Sequence, residues 1–299
     1  MLRVMSFPAP PAPRFLDAQA ATTQGHLRYE DCTQAGRLQV AALPPALGGL
    51  WREVVARHPG ARNVVASGVV PILTRLVLTT EDQPIRIDLP YEAHAGFELA
   101  HDRDAAGVVS RLFMNVWCDL HGIAGRVERG PNQSAGALTL AGRVFAEHTF
   151  TRLFAPPDQR KVLQLDVPGY PAVPDAFYPA ASPHTAHDAP AGASWLGELT
   201  EDPADLVFSV DHTDANQHVN SLVYVRTFLD AAQRRLALAG RSLQVRTRAV
   251  DIAYRKPCFA GDHVRARVRL FAIGAEVGAA GMIVGADDKP RCYVRALFS

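Results

Sequence analysis

The ten residues 211–220 constrain this chain more than any other stretch. They read Asp-His-Thr-Asp-Ala-Asn-Gln-His-Val-Asn, directly ahead of a segment that places Leu222, Val225, Phe228, Leu229, Ala232 and Leu236 at helical spacing. Asp214, Asn216, His218 and Asn220 fall at alternate positions. In an extended strand successive side chains point to opposite sides, so these four are expected to share one face. Asn220 or Ser221 can cap the helix that follows. The free N–H groups and positive dipole end of that helix would then lie beside the polar cluster, suited to stabilising the oxyanion formed when a carbonyl is attacked. His212 alternates onto the opposite face as a surface or packing residue, and Asp211 is expected to bond the local backbone.

The string Asp214-x-Asn216-x-His218-Val219-Asn220, with Tyr224 beyond it, resembles the signature of the hotdog-fold acyl-ACP and acyl-CoA thioesterases. In that family a second Asn follows, where this chain has Ser221. A second string, from Tyr254 through Arg255, Lys256, Pro257 and Cys258 to Asp262, is similar to the family's Tyr-Arg-Arg-Glu-Cys-Gly-Arg-Asp-like strand end. The cysteine is kept, and Pro257 replaces the glutamate. The resemblance implies an α+β fold of two tandem hotdog domains, each an antiparallel sheet wrapped around a central helix. It implies thioester hydrolysis on acyl carrier protein or coenzyme A, with no cofactor and no metal, and allows a homodimer of double-hotdog chains.

The same resemblance assigns Asp214, Asn216, His218 and Cys258 as catalytic candidates, and Asn220, Ser221, Tyr224, Arg255 and Lys256 as substrate-binding ones. Histidine titrates near neutrality, so His218 suits a general base acting on water or a thiol. Asn216 would orient His218 or the thioester carbonyl, and Asp214 would hold the cluster or act as the base itself. Two mechanisms stand open: Cys258 as nucleophile in a Cys-His-Asn arrangement, or direct attack by water with the sulfur lining the pocket. Pro257 can neither take a proton nor donate an N–H, so any task of the family's glutamate falls to Asp214 or is lost.

With 299 residues, 48% hydrophobic and 20% charged, the chain has the make-up of a globular protein with length for two modest domains. The expected organisation is a Pro-rich tail at 1–25, a first hotdog domain at 26–155, a Pro/Ala-rich linker at 156–198 and a second domain at 199–299 that carries the site. The halves read as a duplication. Asp31, Thr33 and Ala35 line up with Asp211, Thr213 and Ala215, setting Gly36 against Asn216 and Leu38 against His218. Helical patterns follow at 43–56 and 222–239. Thr74 and Arg75, ahead of Pro84, mirror Thr247 and Arg248, ahead of Pro257. Val264, Ala266, Val268 and Leu270 alternate with Arg265, Arg267 and Arg269, as in a half-buried strand. The acidic stretch at 101–107 is expected to be a hairpin turn and not a second site.

Residues 226–269 hold eleven Arg and Lys against three Asp, in a chain whose net charge is only +1. Such a stretch would attract the phosphates of coenzyme A or an acidic carrier protein, unless it is simply a solvated strand face. No nucleic-acid motif is present, so nucleic acid is not an expected partner. The four cysteines, Cys32, Cys118, Cys258 and Cys292, show no C-x-x-C pairing. Prolines interrupt the N-terminal residues, and no run of eighteen apolar residues occurs, so neither a signal peptide nor membrane association is expected and the protein is placed in the cytoplasm. Two other readings remain. A hotdog hydratase would need an Asp-x-x-x-x-His spacing, wider than that of Asp214 and His218. A non-hydrolytic acyl-carrier-binding or product-shaping protein would be consistent with Pro257.

Overall fold

The computed structural model describes residues 13–127 and 136–299. The first half runs β1 (Ala20–Gly25), α1 (Leu47–Leu50), α2 (Ala61–Ala66), β2 (Val70–Thr80), β3 (Tyr91–Arg103), β4 (Val109–Ile123) and β5 (Leu138–Thr151). A connector carrying β6 (Ala176–Phe177) leads to β7 (Ser194–Glu201), β8 (Leu206–Val207), α3 (Ser221–Leu238), β9 (Thr247–Tyr254), β10 (His263–Ile273), β11 (Glu276–Gly285) and β12 (Pro290–Phe298). The main strands form one sheet in the order β1-β3-β4-β5-β2-β9-β12-β11-β10-β7. Read from either end the plan is the same. The two copies join where β2 meets β9, with Leu76 opposite Ile252 and Leu78 opposite Val250 in antiparallel register. This is the expected α+β architecture of two tandem units. Among the described residues no helix is long and apolar enough to cross a membrane.

Helix α3 fills the second unit. Tyr224, Val225, Phe228, Ala231, Ala232 and Leu236 are its buried face, and Val264, Ala266, Val268 and Leu270 of β10 are buried with them in one core. The counterpart in the first unit is irregular. The residues expected to be helical at 43–56 form a 3-10 turn at Pro44–Ala46, then α1, then a π turn at Trp51–Val55. Two prolines and the Gly48–Gly49 pair disfavour a uniform α-helix. Gly49 is also demanded by close approach, since a Cβ there would lie 2.3 Å from Thr23 Oγ1.

Two boundaries differ from expectation. Ala20–Gly25, inside the expected tail, pairs with β3, and β7 begins inside the expected linker. The connector is also packed down. Tyr178 donates to Glu147 at 2.9 Å, and Ala186 is buried against Ala253 and Tyr293. Val77, Trp117 and Phe145 make the outer face of the first unit's sheet apolar, with Phe15 and Tyr178 laid against it. At 101–107 the structure has the expected turn, with Asp104 Oδ1 accepting the N–H groups of Ala106 and Val108.

The duplication is real in topology, but its alignment lies one residue from where the shared Asp, Thr and Ala put it. Isolated bridges join Cys32 to Leu38 and Thr213 to Val219, and the left-handed positions are Gly36 (φ 73°) and Gln217 (φ 65°). Asp214 therefore answers to Thr33, Asn216 to Ala35, His218 to Arg37 and Asn220 to Gln39. The strands show the same slip. The extra residue that shifts register is Thr74 in β2 and Arg248 in β9. Backbone geometry fixes the correspondence, and side-chain identity misplaces it because the first unit has diverged. The first unit still lacks the reactive set.

Candidate active site

Residues 213–219 form a tight turn and not the extended strand that alternation suggested. Asp214 N–H donates to the His218 carbonyl at 3.1 Å and Gln217 N–H to that of Asp214 at 2.9 Å. Gln217 takes the left-handed conformation that closes the turn, a cost usually avoided by glycine. The polar groups are thus gathered by a reversal of the chain.

Asp214 is the hub. Its Oδ1 accepts Asn216 N–H at 2.9 Å and its Oδ2 accepts Asn220 Nδ2 at 3.3 Å. His218 Nδ1 stands 3.9 Å from Asp214 Oδ1, outside hydrogen-bond range. Asn220 Oδ1 accepts Leu222 N–H at 2.9 Å and caps α3, so one side chain ties the carboxylate to the helix start. Ser221 is the first helical residue and not the cap. Asn216 serves Asp214 through its backbone, while its exposed side chain makes no hydrogen bond among the described residues. His212, on the far side, has its Nδ1 bonded by Ser209 N–H at 3.0 Å, so His212 and not Asp211 closes this local box.

The second sequence motif meets the first. Val219 N–H donates to the Cys258 carbonyl at 2.8 Å, and Cys258 N–H donates to Tyr224 Oη at 2.7 Å. Tyr224 is buried in this contact with its ring against Phe208 and Tyr254, so it is part of the wall and not an exposed substrate contact. Cys258 is fully buried. Burial pushes its thiol above the ordinary range; the Tyr224 hydroxyl and the Arg291 guanidinium pull it down, Asp262 pushes it up, and the net shift is upward. Such a thiol is protonated at neutral pH and a poor nucleophile. Arg255 is exposed with no ion pair among the described residues, and Lys256 Nζ stands 3.8 Å from Asp287. Both N–H groups reach the carbonyl of Arg291, at 2.8 and 3.2 Å. Arg291, which neither motif marks, is brought to the sulfur only by the pairing of β12 with β9.

The basic stretch is partly neutralised in space. Arg265 and Arg267 pair with Glu201 and Asp288, Arg234 with Asp202, Arg246 with Asp82 and Arg248 with Glu276. Arg269 lies 4.6 Å over the Trp195 ring. The partner carboxylates all lie outside the segment, which is why the segment alone looked strongly cationic. A groove of about 230 Å³ lined by Phe15, His94, Trp117, Asp119 and His121 belongs to the first unit and shares no residue with the cluster.

Comparison with solved structures places the whole frame. An acyl-ACP thioesterase from Bacteroides thetaiotaomicron matches over 94% of this chain and 98% of its own, at 15% identity and a TM-score of 0.61. This chain has the acyl-ACP thioesterase fold. A protein of Lactobacillus plantarum with the provisional name oleoyl thioesterase matches over 94% and 96%, at 16% identity and a TM-score of 0.64. The 12:0-ACP thioesterase of Umbellularia californica covers 94% and 97%, at 11% identity and a TM-score of 0.58. No family model and no curated protein matches the chain. At these identities the likeness is one of fold, and it embraces both units.

Proposed function

We propose that the protein hydrolyses the thioester of an acyl chain on acyl carrier protein or coenzyme A, releasing the free acid. The observation that carries this reading is the cluster of Asp214, His218 and Asn220 at the start of α3, on a fold whose solved examples bear thioesterase names.

The chemistry runs through water. His218 takes a proton as the water oxygen attacks the thioester carbonyl carbon, and Asp214 stabilises the imidazolium that forms. The N-terminal end of α3 offsets the negative charge that develops on the carbonyl oxygen. When the C–S bond breaks, His218 returns the proton to the departing thiolate. The Asn216 side chain, unpaired among the described residues, is free to orient the carbonyl. A buried thiol with a raised pKa favours water over Cys258 as the nucleophile. Asp214, fixed by two donors, fills the place left by the family's glutamate at Pro257. Exposed Arg255 and nearby Lys256 suit the phosphates of coenzyme A or an acidic carrier. In this reading the enzyme works in the cytoplasm, where its cysteines stay thiols.

Thiol release from a panel of acyl-CoA and acyl-ACP thioesters tests the proposal. Turnover is expected on at least one carrier, and His218→Ala should lower kcat by about 10²–10⁴-fold without unfolding the protein. A folded parent that releases no thiol from any member of the panel would overturn it.

A further inference from the structure

The Cys258 backbone is held on both sides of its Cα. Its N–H donates to Tyr224 Oη at 2.7 Å, and its carbonyl accepts the N–H of Val219, the residue after His218, at 2.8 Å. Tyr224 lies one turn into α3. A single relay therefore runs from the helix, through one residue of the loop after β9, to the arm that carries the imidazole. Tyr224 is 3% exposed and Cys258 0%, so water has no easy route to replace the phenol oxygen as the acceptor of that N–H. The Tyr224 ring is held at 5.7 Å from Phe208 and 5.8 Å from Tyr254, and Tyr254 Oη donates to the Ser221 carbonyl at 3.1 Å.

Little else fixes the imidazole. The His218 side chain is 42% exposed and 3.9 Å from Asp214, and Gln217 before it is exposed and left-handed. The bond from Val219 to Cys258 ties this arm to a fully buried residue, beside the Asp214 N–H bond to the His218 carbonyl and the buried Val219 side chain.

We infer that Tyr224 is the positioning residue of the site: through the Cys258 backbone it sets where His218 stands over the start of α3, and Cys258 is needed there for its backbone and small buried side chain, not for its sulfur. This rests on the reading of His218 as the group that moves the proton. Displacing a catalytic group by about 1 Å can cost about 10²-fold in rate, so a phenol that never meets the substrate can govern kcat.

The test compares Tyr224→Phe with Tyr178→Phe, which loses a part-buried hydroxyl bond to Glu147 in the first unit. With an acyl-CoA thioester as substrate, Tyr224→Phe is expected to lower kcat by about tenfold or more with KM within about twofold, and to displace the acid limb of the kcat–pH profile. Tyr178→Phe should follow the parent in both. In His218→Ala, adding Tyr224→Phe should change kcat no further, because the phenol acts through the imidazole. Parent-like kcat in Tyr224→Phe, equal losses in the two tyrosine variants, or additive effects with His218→Ala would overturn the inference. Should Tyr224→Phe not fold, amide exchange in the parent decides: protection of the Cys258 and Val219 N–H groups is expected, and fast exchange at Cys258 overturns the relay. Hydrolysis that needs His218 but ignores Tyr224 removes this inference alone, whereas no hydrolysis by the parent removes the functional reading beneath it.

Discussion

Asp251 of β9 accepts two hydrogen bonds from Arg75 of β2, from Nε at 2.8 Å and Nη2 at 2.6 Å, and a third from Arg295 Nε at 3.0 Å. All three side chains are buried where the two units join. Glu147, bonded by Thr74 at 2.6 Å and Tyr178 at 2.9 Å, adds a second negative charge that Arg75 feels. The four charges balance among buried side chains.

Asp251→Asn leaves that cluster with an uncompensated buried guanidinium. Removing one partner of a buried ion pair typically costs about 3–5 kcal/mol. The urea midpoint should fall with the slope unchanged, and loss of less than about 1 kcal/mol would mean the joint relaxes enough to let water in.

Cys258→Ala separates the two mechanisms left open by sequence. Because the thiol is fully buried and its pKa raised, the variant should keep kcat within about threefold, and iodoacetamide at neutral pH should not inactivate the parent. An acyl-enzyme detected by mass spectrometry on rapid quench would instead make the sulfur the nucleophile.

Asn220→Asp divides the two tasks of one side chain. Aspartate caps a helix as well as asparagine does, so α3 should form normally. The variant loses the donor to Asp214 and sets two carboxylates together, which raises the pKa of one of them. Expected are a thermal midpoint near that of the parent, kcat lower by about tenfold, and an acid limb moved to higher pH. Parent-like kinetics would show that the Asn220 bond to Asp214 has no part in the reaction.

His148 gives the fold its own pH dependence. It is buried against Trp51, with Nδ1 3.3 Å from the Met114 carbonyl, and burial pushes it down to about 4 from the ordinary 6.5. The folded chain holds it neutral, so its contribution is complete above pH 6.5 and is lost as pH falls from 6.5 towards 4. Over that window about 3 kcal/mol of stability should disappear. His148→Phe places there the residue found at Phe298, which has the corresponding register in β12. Its unfolding midpoint should decline less between pH 7 and 4.5 than the parent's; equal declines would assign the acid sensitivity to other groups.

Helix α3 and strand β10 were legible because their signals are local. A buried face at helical spacing and a period of two are properties of a few consecutive residues, and Asn220 as cap follows from its own chemistry. The turn at 213–219 was misjudged as extended. Alternating polar residues suit a strand, and only the pairing of Thr213 with Val219, with Gln217 left-handed, reveals the reversal. The alignment of the halves slipped by one residue for a related reason: side chains had diverged while backbone hydrogen bonds persisted.

By itself the sequence determined that there are two similar units, that the second carries the polar cluster, and which residues stand at the head of its helix. Those are matters of periodicity and residue type within short stretches. Tertiary structure decided that the Asn216 side chain is exposed, that Cys258 is sealed beneath Tyr224, and that Arg234, Arg246, Arg248, Arg265 and Arg267 meet carboxylates from outside 226–269. Burial and charge pairing depend on residues far apart in sequence, and only the folded sheet brings those together.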